Sequence, residues 1–107
     1  MNIDELALCL EKLGHPSRLE IFRLLVRAGR GGLPVGDIQR HLGIPGSTLT
    51  HHIGQLVSAG LVQQTREGRM LRCTAAYERM DDIVAALTAE CCAGVADPAC
   101  ERELADG

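Results

Sequence analysis

The sequence has no tryptophan, and its only aromatics are Phe22 and Tyr77 among 107 residues. Its core must therefore be built from Leu, Ile, Val and Ala. The same scarcity argues against a base-stacking platform of the kind that grips single-stranded RNA. No apolar run approaches the length that spans a bilayer, so no transmembrane helix is expected. The first residues, Met1-Asn2-Ile3-Asp4-Glu5, contain two acids and no basic stretch. That argues against a secretory signal and for a cytoplasmic protein. The length suits one domain. With 46% hydrophobic and 23% charged residues the chain reads as globular, not disordered.

The cysteines, by contrast, are numerous and uneven. They are Cys9, Cys73, Cys91, Cys92 and Cys100. An odd number in a reducing compartment does not form a full disulfide framework. Three of the five fall in the last 17 residues. Charge is uneven too. The net charge is −3, yet residues 16–72 hold eight arginines against Glu20, Asp37 and Glu67, a local excess of +5. Acidic ends enclose this basic middle, a pattern that suits a polyanionic partner at the middle.

Apolar spacing predicts helices over residues 3–13 and from His15-Pro16-Ser17 to Gly29. A short third helix follows Pro34, with Val35, Ile38 and Leu42 on one face. Gly43-Ile44-Pro45-Gly46 makes a tight connection. A fourth helix runs from Ser47 to Ala59, with Leu49, Ile53, Leu56 and Val57 on its apolar face and Ser47 or Gly46 as its cap. Residues 61–65 and 70–74 read as two strands around Arg66-Glu67-Gly68-Arg69, where Gly68 supplies a positive φ. A last helix runs from about Tyr77 to Cys92, with the stripe Met80, Ile83, Val84, Leu87 and Cys91. The expected fold is mainly α with a small β-hairpin (α+β), in the order α-α-α-α-β-β-α. Residues 1–92 read as one domain, and residues 93–107 as a tail.

A short helix, a tight turn and a longer helix followed by a hairpin is a helix-turn-helix with a wing. The fourth helix turns Ser47, Thr48, His51, Gln55 and Ser58 away from its apolar face. Residues 47–60 contain no Glu and no Lys, unlike an ordinary solvated helix. Short hydroxyl, amide and imidazole groups can lie beside phosphates and reach base edges. Arg66, Arg69 and Arg72 on the wing can meet the backbone or the minor groove. The expected partner is double-stranded DNA. A winged-helix protein-interaction module is the alternative from another class, and it predicts no salt-dependent duplex binding.

Leu13-Gly14-His15-Pro16-Ser17-Arg18-Leu19-Glu20-Ile21-Phe22-Arg23-Leu24-Leu25 resembles the opening of the ArsR/SmtB family of winged-helix repressors. Thr48-Leu49-Thr50-His51-His52-Ile53-Gly54-Gln55-Leu56 is similar to that family's recognition helix, and Ala59-Gly60-Leu61-Val62 with Arg66-Glu67-Gly68-Arg69 to the approach to its wing. The resemblance covers roughly residues 5 to 92. It implies a homodimer, joined through the first and last helices, that represses a metal- or metalloid-resistance operon. It adds Thr50 and His52 to the DNA-binding set, His52 at the flank of the apolar face as a packing and backbone-positioning residue. Two recognition helices would then sit roughly 34 Å apart on a near-palindromic operator.

Family members differ in where they bind their inducer. Leu33-Pro34-Val35-Gly36-Asp37-Ile38 contains no Cys-x-Cys box, and the last helix contains no histidine for a zinc site. Cys91 and Cys92, with Cys100 shortly after, resemble the C-terminal three-cysteine arsenite site of one branch. The resemblance implies As(III), with Sb(III) as a variant, as the inducer and Cys91, Cys92 and Cys100 as its ligands. Soft thiolates select soft ions. Adjacent residues on a regular helix diverge by about 100°, so Cys91 and Cys92 converge only if the helix frays. Alternatives within the same fold are a thiol-redox or persulfide sensor and a repressor responsive to Sb, Cd or Pb. The helix C-terminus and nearby acids disfavour a nucleophilic thiolate, and no enzyme activity is expected. Cys9 and Cys73 read as packing residues.

Overall fold

A computed structural model describes residues 1–94. Five helices and three strands follow in order: α1 (Ile3–Leu13), α2 (Pro16–Ala28), β1 (Leu33–Pro34), α3 (Val35–Leu42), α4 (Gly46–Ser58), β2 (Val62–Glu67), β3 (Met70–Ala75) and α5 (Tyr77–Thr88). The strands form an antiparallel sheet in the order β1-β3-β2. This is the expected winged helix-turn-helix, enlarged by β1. That two-residue strand pairs Leu33 with Cys73 and Pro34 with Arg72. It ties the start of α3 to the wing.

The core sits where α2, α4 and the base of the wing meet. Ile21, Leu25, Ile38, Leu49, Ile53, Leu56, Leu61 and Val62 are buried there. Removing a Leu or Ile side chain fully from water contributes about 1.5–3 kcal/mol, so this set dominates the stability. Cys9 and Cys73 are wholly buried, as packing residues should be. The Cys9 thiol donates to the Ala59 carbonyl at 3.6 Å. Burial pushes the Cys73 thiol up from its ordinary pKa, although a hydrogen bond from Gln64 pulls the other way.

The chain reverses between α3 and α4 through Gly43, which takes the left-handed conformation at φ 66 and donates its N–H to the Gln39 carbonyl. The α4 helix starts one residue earlier than expected. Its N-cap is Pro45, which has no side-chain donor or acceptor, so neither Ser47 nor Gly46 caps it. Val57 also departs from expectation and is exposed.

The largest departure is at the end of α5. The helix stops at Thr88, not near Cys92, and Glu90 and Cys92 both have positive φ (57 and 68). Cys91 therefore leaves the apolar stripe and is exposed. Of that stripe Ile83 is buried and Met80 packs on the core, but Val84 and Leu87 are each 57% exposed. The α1 helix divides its apolar residues in the same way. Leu6 and Cys9 face the core, while Ile3 and Leu10 are exposed.

Candidate nucleic-acid interface

The recognition face is built on α4. Leu49, His52, Ile53 and Leu56 fix one side of the helix in the core, which leaves Ser47, Thr48, Thr50 and His51 exposed. The first turn carries no acid and no side-chain cap. Its backbone N–H groups thus have no intrahelical partner and, with the helix dipole, favour a phosphate.

The expected contact residues are not equivalent. Ser47, Thr48 and His51 present open polar groups. Thr50 donates its hydroxyl to the Gly46 carbonyl at 2.9 Å, inside the helix. Gln55 is half-buried and accepts from Lys12 Nζ at 2.5 Å, which ties α4 to α1. His52 is buried, and its Nδ1 accepts from Arg18 Nε at 3.2 Å. Burial, then the neighbouring His15, Arg18 and His51, hold the His52 imidazole below its ordinary pKa. It is therefore a neutral acceptor, and it faces α2.

The wing turns at Gly68, where φ is 63. Arg66 and Arg69 flank the tip and are exposed. Arg72 is different. It pairs with Glu67 at 3.2 Å and donates to the Gly31 carbonyl at 3.1 Å, so it braces the wing against the loop before β1. A groove of about 600 Å³ lies between α3 and the wing, lined by Val35, Asp37, Arg40, Arg69, Met70 and Leu71 among others. None of its lining residues is a cysteine.

The sequence gives no local sign that Arg18 reaches α4. The Arg18 link to His52 joins positions 34 apart in the chain, and no local periodicity signals such a contact.

At the other end, the Cys91 and Cys92 sulfurs stand 3.2 Å apart, both exposed. Cys91 N–H donates to the Thr88 carbonyl and Ala93 N–H to the Glu90 carbonyl. These turns, together with the two left-handed residues, bring neighbouring side chains to the same side. Cys100 lies outside the described residues. Among the described residues, no group of three or more His, Cys, Asp or Glu is placed to hold a metal ion, and no helix is long and apolar enough to cross a membrane.

Fold and surface together define a winged helix-turn-helix protein of the DNA-binding class. Residues 13–65 match the family described as a helix-turn-helix domain. The chain is 33% identical over 89 residues to the biofilm growth-associated repressor of Agrobacterium fabrum, covering 83% of this chain and 74% of that protein. The solved transcriptional repressor BigR from Xylella fastidiosa is 30% identical, with a TM-score of 0.65, covering 85% of this chain and 90% of that one. A homodimeric winged helix-turn-helix DNA-binding domain from Mycobacterium bovis, a possible ArsR-family regulator, is 28% identical with a TM-score of 0.66 and 82% coverage of each chain. The chain belongs to the ArsR family of winged-helix transcriptional regulators. These are regulators of transcription, not enzymes.

Proposed function

We propose that the protein is a cytoplasmic, homodimeric repressor that holds operator DNA and releases it when trivalent arsenic binds its C-terminal thiols. The observation that carries the inducer is the Cys91–Cys92 pair, two exposed sulfurs 3.2 Å apart. Both can reach one soft, thiophilic centre, and Cys100 would supply a third thiolate. Binding such an ion deprotonates its own ligands, so a helix end that disfavours free thiolate is no obstacle.

Dimerisation through α1 and α5 is supported by the exposed Ile3, Leu10, Val84 and Leu87 on two helices that pack against each other. The homodimeric Mycobacterium bovis relative supports it too. The thiols sit directly after α5, so ordering them acts on the interface helix. A full switch from bound to free needs a differential affinity of about 5.5 kcal/mol.

A mobility-shift titration tests this reading. Arsenite is expected to release the wild-type protein from operator DNA, and Cys91→Ser or Cys92→Ser to raise the arsenite needed by more than about tenfold, which corresponds to about 1.4 kcal/mol. Unchanged release after replacing Cys91, Cys92 and Cys100 together would remove the site. The same sulfur separation also favours a second reading, a sensor of thiol oxidation. That reading predicts release by polysulfide and none by arsenite.

A further inference from the structure

Arg18 lies in the first turn of α2 and is half-buried. Its Nε donates to His52 Nδ1 at 3.2 Å. A guanidinium carries five N–H donors in a rigid plane. His52 takes the one on Nε, which leaves the Nη1 and Nη2 edge. Among the described residues, Arg30, Arg40, Arg72 and Arg79 have carboxylate partners, and Arg18 has none. Arg18 is also unlike the open wing arginines, because a neutral, buried acceptor on α4 fixes its plane.

The groups around Arg18 are imidazoles. The His15 and His51 rings stand 4.6 and 5.8 Å from the His52 ring, and both residues are exposed. The first turns of α2 and α4 contain no acid. An anchored cation among imidazoles, with no carboxylate to neutralise it, suits a phosphate oxygen pair, which a guanidinium binds in a fork.

We propose that Arg18 is a DNA-contact residue outside the recognition helix and wing. Its Nη1 and Nη2 edge clamps one backbone phosphate beside the groove that α4 enters, and His52 is the positioning residue that sets the guanidinium plane. This rests on the DNA-binding reading above. The competing role is a tie between α2 and α4 that never meets DNA. The two differ in counterion release, because each phosphate neutralised on B-DNA adds about 0.9 to the slope of log affinity against log salt.

The test measures binding of the full chain to a mixed-sequence duplex by fluorescence anisotropy across a salt series. Arg18→Gln keeps an amide donor for His52 and removes the charge. Its slope is expected to fall by about 0.9 for each protomer bound, while Arg18→Lys keeps the wild-type slope. His52→Ala should weaken binding, and His52→Gln, which restores an acceptor, should recover it. Equal binding by both His52 variants and the wild type would overturn the positioning role. An unchanged slope in Arg18→Gln, with the wild type binding normally, would overturn the clamp alone. If Arg18→Gln does not fold, the Arg18 side-chain N–H resonances of the wild type decide. They should shift when duplex is added, and no shift overturns the clamp. Duplex binding by the wild type without salt dependence would overturn the DNA reading and this one together.

Discussion

The α4 and α5 helices are nearly equal in length, at 13 and 12 residues, yet they are finished in different ways. Four residues of α4 are buried within the chain, against Ile83 alone in α5. The apolar side of α4 is satisfied by α2 and the wing base, so its other side is free to be polar. By contrast, α5 shows two large apolar residues to solvent, each 57% exposed. Under the proposed function, the well-buried helix is the one that would hold its register on a duplex. The incompletely covered helix is the one whose surroundings an inducer and a second subunit would change.

The largest effect should separate the two helices by stability. Leu56→Ala opens a cavity in the core and is expected to cost about 2–5 kcal/mol in urea denaturation. Leu87→Ala in dilute protein should stay within about 0.5 kcal/mol. Equal costs would break the comparison.

A middle-sized effect tests what covers α5. Val84→Glu with Leu87→Glu should raise the dimer dissociation constant by more than about tenfold, about 1.4 kcal/mol, in sedimentation equilibrium. The α4 core and the monomer fold should stay intact. Unchanged association would mean that this face is not the dimer interface.

The smallest effect concerns His52 and sharpens the picture of α4. Its folded pKa is held below the ordinary 6.5, so the unfolded chain takes up the proton first. Stability should therefore rise with pH between that depressed value and 6.5. It should be lost as pH falls through the same window. Replacing His52 by Gln should flatten this part of a urea-midpoint profile. An unchanged profile would assign the acid sensitivity elsewhere.

What was legible in the sequence follows the range of the forces involved. The helices, the hairpin and Gly68 rest on local spacing and turn chemistry, and apart from the first residue of α4 and the end of α5 they stand close to where those predict. The β1 strand could not be seen that way. Leu33 and Pro34 show no two-residue alternation, and they pair with Arg72 and Cys73 only once the wing has formed. The same holds for the Arg18–His52 bond. Spacing carries α5 too far because Cys91 continues the apolar period, whereas the backbone turns left-handed at Glu90. The Thr88 hydroxyl bonds back to the Val84 carbonyl, and the C-cap Ala89 has already left helical backbone, at φ −56 and ψ 133. The exposure of Val84 and Leu87 fits the broad stripe expected there, since spacing identifies an apolar face but not the chain that covers it.

Lys12 is the only lysine in the sequence, and its amine lies against Gln55 on α4. An amine-directed label thus has a single side-chain address. That address lies at the junction between the first helix and the recognition helix. The chain in this way carries its own one-site reporter, whose reactivity tracks whether those two helices are seated together or have come apart.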